Sequence, residues 1–252
     1  MGWQLRFHGV GSASAVELGS AMATLDRDGR PWLTIDCGGE GLTAFQSHYH
    51  ALPDTLFVTH AHLDHVAGFE RLFVGTYFDD ARRGRVRLYV PAPLVPLLHQ
   101  RVGEYPNVLA EGGTNFWDAF QLVPVAGAFW HDGVRLEVFP VRHHWPDTAF
   151  GLRLPGSVVW TGDTRPIPEM LARYADGDEL IAHDCALHGN PSHSGIDDLE
   201  REYPSALLSR CVLYHYASAA DGDALRARGH RVAHPGDALP LAEPRRQAVE
   251  TA

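Results

Sequence analysis

Short apolar runs alternate along the chain with segments of helical spacing. The run at 4–7 predicts a first strand, and the runs at 21–25 and 31–36, joined by a Gly-containing turn, predict a β-hairpin. Further strands are predicted at 56–59, 85–90, 133–142, 148–154, 158–161, 179–182 and 207–213. Helices are predicted at 41–51, 66–73, 93–102 and 168–174, and a loop at 104–113. Strands that alternate with helices indicate an α/β fold.

Length and hydrophobic content limit how the chain is divided into domains. A chain of 252 residues with 45% hydrophobic content can bury one large α/β core. Residues 243–252 are polar and lack periodicity. We therefore expect a single domain over 1–242, followed by a polar C-terminal tail at 243–252.

Charge, cysteine spacing and hydropathy limit the partners and the compartment. The net charge of −10 argues against a surface that binds long nucleic acid, because such binding depends on a broad field of Lys and Arg. Cys37, Cys185 and Cys211 contain no CxxC pair, so neither a disulfide framework nor a thiolate metal site is indicated. No charged leader precedes an apolar run, and no apolar run has the length of a membrane span. These features predict a cytoplasmic protein without a membrane partner.

Three histidines and an aspartate, His60, His62, Asp64 and His65, directly follow the predicted strand at 56–59. In an extended segment side chains two positions apart share a face, so His60 and His62 can bind one metal ion. Asp64 and His65 come after a turn and suit a second ion nearby. Imidazole and carboxylate groups are ligands of zinc and similar divalent ions. A histidine-rich surface loop is the alternative, but the aliphatic strand that leads into the cluster argues against it.

The segment THAHLDHVAG at 59–68 resembles the HxHxDH motif of the metallo-β-lactamase-fold hydrolases. The resemblance implies a four-layer αββα metallo-β-lactamase sandwich, in which two mixed β-sheets are flanked by helices and two metals lie at the edge between the sheets. Asp36 lies in an Asp-Cys-Gly corner, and the resemblance implies a structural hydrogen-bonding role for it beneath the site. Relatives of this class often form homodimers, so a homodimer is one expected state.

Later segments extend the resemblance to a complete ligand set. His143 and His144 follow the strand at 133–142, and because adjacent side chains point to opposite sides of an extended chain, only one should reach the metal; we favour His143. Asp163, in a Gly-Asp-Thr corner, matches the bridging ligand of the family, and His215 matches its fifth motif. The resulting assignment places His60, His62 and His143 on one ion, Asp64, His65 and His215 on the other, and Asp163 between them.

The context of these motifs is similar to that of the ribonuclease Z and phosphodiesterase branch. The segment HHWPDTAFGLRL at 143–154 resembles the third motif of that branch, and the Gly-His-Thr/Ser context of glyoxalases, lactonases and β-lactamases is missing. Asp184 and His193 lie in stretches similar to the branch's His-Glu-Ala-Thr and His-Ser-Thr segments. His193 is then a candidate general acid or phosphate donor that Asp184 orients. The alternative is a helix-cap histidine that is exposed to water. Ser194 and Asp197 are predicted to form a capping-box variant for the helix that runs through Tyr203.

Two ions that share Asp163 would lower the pKa of a bridging water and hold the hydroxide in line with a phosphorus atom. We expect Asp64 also to orient or deprotonate this nucleophile, and His193 to protonate the leaving oxygen. A ligand set of histidine and aspartate predicts Zn²⁺, with Mn²⁺ as the second choice, because di-iron relatives usually carry a glutamate in the first cluster.

The substrate prediction depends on a missing insertion. Ribonuclease Z enzymes that process tRNA carry a long Gly/Pro-rich arm, commonly between the third and fourth motifs, whereas here 143–163 is filled by two predicted strands and a turn. We therefore predict a phosphodiesterase that acts on a small phosphodiester, either a cyclic nucleotide or a short oligonucleotide. The alternatives are a ribonuclease Z-like tRNA 3′ processing endonuclease and a non-hydrolytic metal-binding accessory protein on the same fold.

Overall fold

The computed structural model describes residues 2–104 and 113–245, and within these ranges it contains two sheets of seven strands each. The strands are β1 (Trp3–Gly9), β2 (Met22–Arg27), β3 (Arg30–Ile35), β4 (Thr55–Phe57), β5 (Val86–Pro91), β6 (Phe120–Val125), β7 (Ala128–His131), β8 (Val134–Pro140), β9 (Phe150–Leu154), β10 (Val158–Trp160), β11 (Leu180–Asp184), β12 (Cys211–Tyr214), β13 (Arg231–Val232) and β14 (Ala238–Leu241). Each strand contributes buried apolar residues or pairs at a sheet edge.

Both sheets are mixed and repeat one pattern. The first has the order β14-β1-β2-β3-β4-β5-β6, and the second has the order β13-β12-β11-β10-β9-β8-β7. Neighbours from β3 to β6 and from β10 to β13 run parallel, and the remaining neighbours run antiparallel. Each sheet is thus an antiparallel meander followed by parallel strands, and the parallel strands need crossover connections. The predicted sandwich of two mixed sheets flanked by helices is confirmed.

Helices cover the outer faces of both sheets. They are α1 (Gly39–Tyr49), α2 (Leu63–Val66), α3 (Phe69–Tyr77), α4 (Val95–Leu98), α5 (Pro168–Tyr174), α6 (Ile196–Glu202), α7 (Ser205–Leu208) and α8 (Ala219–Ala227). Phe45 of α1 packs on His8 of β1 with ring centroids 5.2 Å apart, and Tyr174 of α5 stacks on Phe139 of β8 at 4.7 Å. In the ranges described, every helix is too short or too polar to cross a lipid bilayer.

Aromatic side chains join the inner faces of the two sheets. Phe7 of the first sheet lies 5.8 Å from the Trp160 ring of the second and 6.4 Å from the Tyr214 ring, and Trp160 and Tyr214 stack on each other at 4.2 Å. All three side chains are fully buried. Side chains of this size dominate the packing energy of a core, so they fix how the two halves meet beneath the site.

Two helix and strand predictions change in the structure. Residues 207–213 are not one strand: Pro204, with φ −58°, precedes the short helix α7, and β12 starts only at Cys211. Residues 93–102 form three helical types in succession, a 3₁₀ turn (Ala92–Leu94), α4 and a π-helical turn (His99–Gly103). The predicted loop at 104–113 and the predicted tail at 243–252 lie mostly outside the described residues.

The predicted cap of Ser194 and Asp197 is wrong. Helix α6 begins after Gly195, whose N–H donates to the Asp198 carboxylate at 3.1 Å. The Ser194 hydroxyl instead donates to the Thr164 carbonyl at 2.8 Å. Ser194 therefore ties the His193 loop to the Gly-Asp-Thr corner.

Candidate metal centre

The parallel strands bring the candidate residues to one edge of the sandwich. Asp184 is the last residue of β11, His215 directly follows β12, and Asp163 comes shortly after β10. In the first sheet, Asp36 directly follows β3 and His60 lies just after β4. Because the carboxyl ends of parallel strands lie at the same edge of a sheet, residues far apart in sequence meet there.

Three histidines and one aspartate form the first group, His60, His62, His143 and Asp163, with their ligand atoms all within 4.8 Å of one another. The His62 Nδ1 atom lies 3.1 Å from His60 Nε2 and 3.2 Å from His143 Nε2. His60 Nε2 is 3.6 Å from Asp163 Oδ2. Ligands of a tetrahedral zinc ion with Zn–N bonds of about 2.0–2.1 Å are about 3.3 Å apart, so this spacing suits a single ion.

The second group shares Asp163 with the first and adds Asp64, His65 and His215. Asp163 Oδ2 lies 3.3 Å from His65 Nε2 and 3.2 Å from His215 Nε2. Asp64 Oδ2 lies 3.4 Å and 3.5 Å from the same two nitrogens. Asp163 Oδ2 therefore faces histidines of both groups, which is the position of a bridging ligand.

Several buried atoms of the centre lack a hydrogen-bond partner within the described ranges. These atoms are His65 Nε2, His215 Nε2 and Asp163 Oδ1. A buried polar atom without a partner is costly, and a bound divalent ion would supply one for each of them. The donor set of imidazole nitrogens and carboxylate oxygens fits zinc or a similar ion. The residues present thus fit a pair of divalent ions.

Hydrogen bonds behind the centre select the histidine tautomers. The Thr59 hydroxyl donates to Asp36 at 2.8 Å and accepts from His60 Nδ1 at 3.1 Å. Asp36 Oδ2 accepts from His65 Nδ1 at 2.8 Å, and the Ser192 carbonyl accepts from His143 Nδ1 at 2.9 Å. With Nδ1 protonated in each ring, Nε2 is left as a lone-pair donor that faces the centre.

The Asp36 corner explains why a glycine ends the histidine motif. Asp36 is fully buried and has φ of 64°, and burial raises the pKa of its carboxyl despite the hydrogen bonds from His65 and Thr59. A Cβ atom at Gly68 would lie 2.7 Å from the Cys37 carbonyl oxygen, so no larger residue fits there. Asp36 supports His65 from behind, as the structural role predicted for it requires.

The carboxylates of the centre make a strongly negative local field. Burial alone would lower the pKa of His215, but Asp163 and Asp184 raise it to about 10. Burial would also lower the pKa of His65, but Asp163 and Asp36 raise it well above the usual range. The same field would favour a divalent cation over protons.

His193 and Asp184 form a pair beside the two groups. The His193 Nδ1 atom donates to Asp184 Oδ2 at 2.9 Å, and Asp184 Oδ1 lies 3.4 Å from His215 Nδ1. Asp184 is fully buried, whereas His193 is 21% exposed and lines the cavity over Asp64. Although burial opposes it, the Asp184 hydrogen bond raises the pKa of His193. His193 is therefore a fixed group that reaches the open side of the centre, and Asp184 favours its protonated form.

The structure brings the predicted site residues together, and it separates the two adjacent histidines. His143 is buried and joins the first group, whereas His144 is exposed, has φ of 58° and lies outside both groups. The ligand roles of these residues stay predictions. Sequence reasoning missed Thr59 and Ser192 as supports for the ring nitrogens. The position of Thr59 directly before His60 was the one available signal in the sequence. The Ser192 contact is made by a backbone carbonyl, which leaves no signal in the sequence.

The two mixed sheets with their flanking helices have the metallo-β-lactamase fold, with a candidate metal centre at their edge. A family model described as "Anti-Pycsar protein Apyc1" matches residues 3–238, and the chain belongs to this family. The chain is 26% identical over 238 residues to the anti-Pycsar protein Apyc1 of Paenibacillus harenae, covering 92% of this chain and 97% of that one. It is also 26% identical over 183 residues to the ribonuclease Z of Deinococcus radiodurans, covering 60% of this chain and 55% of that one.

A solved structure shows the same fold. The metallo-β-lactamase fold protein YhfI from Bacillus subtilis superposes with a TM-score of 0.75 at 14% identity, covering 95% of this chain and all of that one. At this identity the likeness speaks for the fold alone. The resemblance inferred from the histidine motif is thus confirmed at the level of the family.

Proposed function

We propose that this protein is a binuclear metal-dependent phosphodiesterase that hydrolyses a small phosphodiester, with a cyclic mononucleotide or a short oligonucleotide as substrate. The observation that carries the proposal is the position of Asp163 Oδ2, which lies 3.6, 3.3 and 3.2 Å from the Nε2 atoms of His60, His65 and His215. One oxygen faces both groups, and paired metal sites of this kind are typical of enzymes that displace a group at phosphorus.

Each residue of the centre has a defined task in this proposal. His60, His62 and His143 would hold one ion, and Asp64, His65 and His215 would hold the other, with Asp163 between them. Two divalent ions bound there would supply a nucleophilic water at neutral pH and neutralise the charge that develops on the phosphate. We propose Zn²⁺ as the resident ion and Mn²⁺ as a competent substitute. Asp64, which is 12% exposed, can accept a hydrogen bond from the attacking water.

His193 completes the reaction on the leaving side. As the water oxygen bonds to phosphorus, the P–O ester bond breaks and its electron pair stays on the leaving oxygen. The proton for this oxygen comes from His193, whose Nδ1 is held by Asp184 at 2.9 Å, so that Nε2 is the nitrogen left to donate. An alkoxide leaving group needs this proton, which favours a phosphodiester of a sugar hydroxyl as substrate.

Two observations favour a small substrate over tRNA. Residues 143–163 contain a loop, β9, a turn and β10, so this stretch adds no arm to the rim of the site. The net charge of −10 provides no broad cationic surface for a long phosphate backbone. The match to a ribonuclease Z supports phosphodiester chemistry in general, and it leaves tRNA as a substrate to be tested.

A cation near the centre supports an anionic substrate. Arg101 lines both cavities that flank the metal groups, and its guanidinium forms no ion pair or hydrogen bond with residues of 2–104 or 113–245. A guanidinium group without a partner among these residues can bind a phosphate oxygen with two N–H donors. We assign Arg101 to the non-bridging oxygens of the substrate.

A substrate screen tests the proposal. Metal-replete protein is incubated with 3′,5′-cyclic nucleotides, a dinucleotide, bis-p-nitrophenyl phosphate, a lactone, a thioester and a precursor tRNA, with zinc or with manganese. We expect turnover of the cyclic nucleotides or the dinucleotide and of bis-p-nitrophenyl phosphate, and none of the lactone or thioester. Asp64→Ala, assayed at matched metal content, should abolish turnover, while His144→Ala should retain it.

Other outcomes of the screen separate the alternatives. Tight and salt-sensitive binding of precursor tRNA, with cleavage at its 3′ side, would show instead that the protein is a tRNA processing nuclease. Turnover of the lactone or thioester alone would show acyl chemistry. Metal binding without turnover of any substrate would indicate an accessory protein on the same fold.

A further inference from the structure

A cleft of about 580 Å³ opens directly from the first metal group. Its floor is formed by His60, His62 and His143, so a substrate whose phosphate lies at the metals extends into this cleft. The cleft has the size of a small-ligand site. Two walls rise above the floor, one from each sheet of the sandwich.

The first wall is the loop between β8 and β9, and it presents Trp145 to solvent. Trp145 is 79% exposed, although it lies only two positions after His143. The Thr148 hydroxyl donates to the Trp145 carbonyl at 2.7 Å, and His144 and Asp147 on either side both have positive φ, at 58° and 61°. The loop therefore holds the indole at the rim in a fixed backbone conformation.

The second wall is the segment between β5 and β6, with Leu97 on α4 and Gln100 and Arg101 on the π-helical turn. The π turn is anchored from outside the cleft, because the Trp117 indole donates to His99 Nδ1 at 3.2 Å and stacks on that ring. Single π-helical turns are frequent at functional sites. This one brings the Gln100 amide and the Arg101 guanidinium to the cleft, which they line together with Leu97 and Trp145.

The two walls suit one kind of ligand. An indole face and a leucine pack on a flat, apolar surface, the Gln100 amide can hydrogen-bond to its polar edge, and Arg101 is left for the phosphate. A sugar alone offers no flat π-face. A long nucleic-acid strand would have to continue past the metals into the cavity over Asp64, where Glu40 adds a negative charge. A planar heterocycle attached to the reacting phosphodiester meets all of these conditions.

We propose that this cleft is the nucleobase subsite, with Trp145 as the stacking platform for the base of a cyclic mononucleotide. The proposal rests on the phosphodiesterase function proposed above and narrows its substrate class. Trp145 contributes to substrate binding and takes no part in bond breaking. Its loss should therefore raise KM and leave kcat close to its starting value.

A base-dependent comparison tests the subsite. Kinetics are measured for adenosine 3′,5′-cyclic phosphate and for the abasic methyl riboside 3′,5′-cyclic phosphate, which carries the same reacting ring without a base. For Trp145→Ala we expect KM for the adenosine compound to rise by about 5- to 150-fold, the range for loss of one stacked base. KM for the abasic compound should change by less than about twofold, and Trp145→Phe should recover most of the lost binding.

A control variant separates stacking from a general effect of losing an exposed tryptophan. Trp130, on the edge strand β7, is 43% exposed and lies outside the cleft. Trp130→Ala should leave KM for both compounds unchanged. Light scattering on the Trp145→Ala protein adds a second readout, because an unchanged mass supports the subsite.

Each other outcome overturns a stated part of the account. Equal KM changes for both cyclic phosphates, or no change for either, would overturn the subsite while the phosphodiesterase function stands. A fall in molecular mass without a base-dependent KM change would show that Trp145 is covered by a second copy of the chain instead. Failure of the unaltered protein to cleave either compound or any other phosphodiester would overturn the proposed function and the subsite together.

Discussion

Asp184 Oδ2 accepts a hydrogen bond from His193 Nδ1 at 2.9 Å, in a fully buried position at the end of β11. The bond fixes a ring that lines the cavity over the metal centre. The leaving-group role of His193 follows from this arrangement.

Replacing His193 by Ala should slow hydrolysis most for substrates whose leaving oxygen must be protonated. For a cyclic nucleotide, kcat should fall by about 10²- to 10⁴-fold, the usual size of a general acid effect. For bis-p-nitrophenyl phosphate the loss should be much smaller, because nitrophenolate leaves without protonation. Steady-state kinetics on both substrates measure the two losses. Asp184→Asn should likewise slow the cyclic nucleotide more than bis-p-nitrophenyl phosphate. Equal losses on the two substrates would show that His193 has only a structural role.

Removing the shared ligand should cost more metal than removing an unshared one. We expect about two ions per chain in the unaltered protein, about one in His62→Ala, and fewer in Asp163→Ala, because Asp163 Oδ2 faces both groups. Elemental analysis after dialysis gives these numbers, with His144→Ala as the control that keeps two ions. Mainly iron in the unaltered protein would contradict the zinc assignment, and two retained ions in Asp163→Ala would contradict the bridge.

The Thr59 hydroxyl should strengthen metal binding without touching the metal. It accepts from His60 Nδ1 and donates to Asp36, so Thr59→Val removes both hydrogen bonds at nearly constant volume. Outer supports of this kind typically contribute about 10- to 100-fold in metal affinity. Competition with a zinc chelator should show that loss for Thr59→Val and little loss for Thr59→Ser. Unchanged affinity in the valine variant would mean that His60 needs no such support.

His8 should make the fold sensitive to mild acid. Burial between β1 and α1 is the main cause that lowers the pKa of His8 to about 3, with Arg6 adding a smaller effect. The unfolded chain then binds a proton near pH 6.5 that the folded chain does not, so stability is full above that pH and falls as the pH drops towards 3. The loss should reach about 2 kcal/mol at pH 5.

Urea unfolding between pH 5 and pH 8 measures this effect. Between pH 8 and pH 5 the free energy of unfolding should fall by about 2 kcal/mol more in the unaltered protein than in His8→Gln. The comparison between the two proteins removes contributions from the metal centre, which both share. Parallel pH profiles would contradict the account of His8.

The grouping of the candidate ligand residues was predictable because their positions follow from local rules. His60 and His62 are two positions apart after a strand, and the adjacent pair His143 and His144 cannot both face one side. The structure agrees, with His143 buried in the first group and His144 exposed. The mixed sheets were likewise implied by the motif and its order in the chain.

Other features left no pattern to read. The edge strands β6 and β14 contain Pro124 and Pro240, which weaken a strand signal even though edge positions tolerate proline. The contact of His143 with the Ser192 carbonyl joins segments 49 positions apart through a backbone atom. Trp145 stood in the third-motif segment, but only the three-dimensional structure shows that it is exposed and lines the same cleft as Arg101.

The most direct test of the central claim is the rate of cyclic nucleotide hydrolysis as zinc is returned to metal-free protein. If Asp163 joins two ions in one catalytic centre, hydrolysis should be absent without metal and should level off at two equivalents of zinc per chain. A rate that is independent of zinc, or one that reaches its limit at a single equivalent, would contradict the binuclear account.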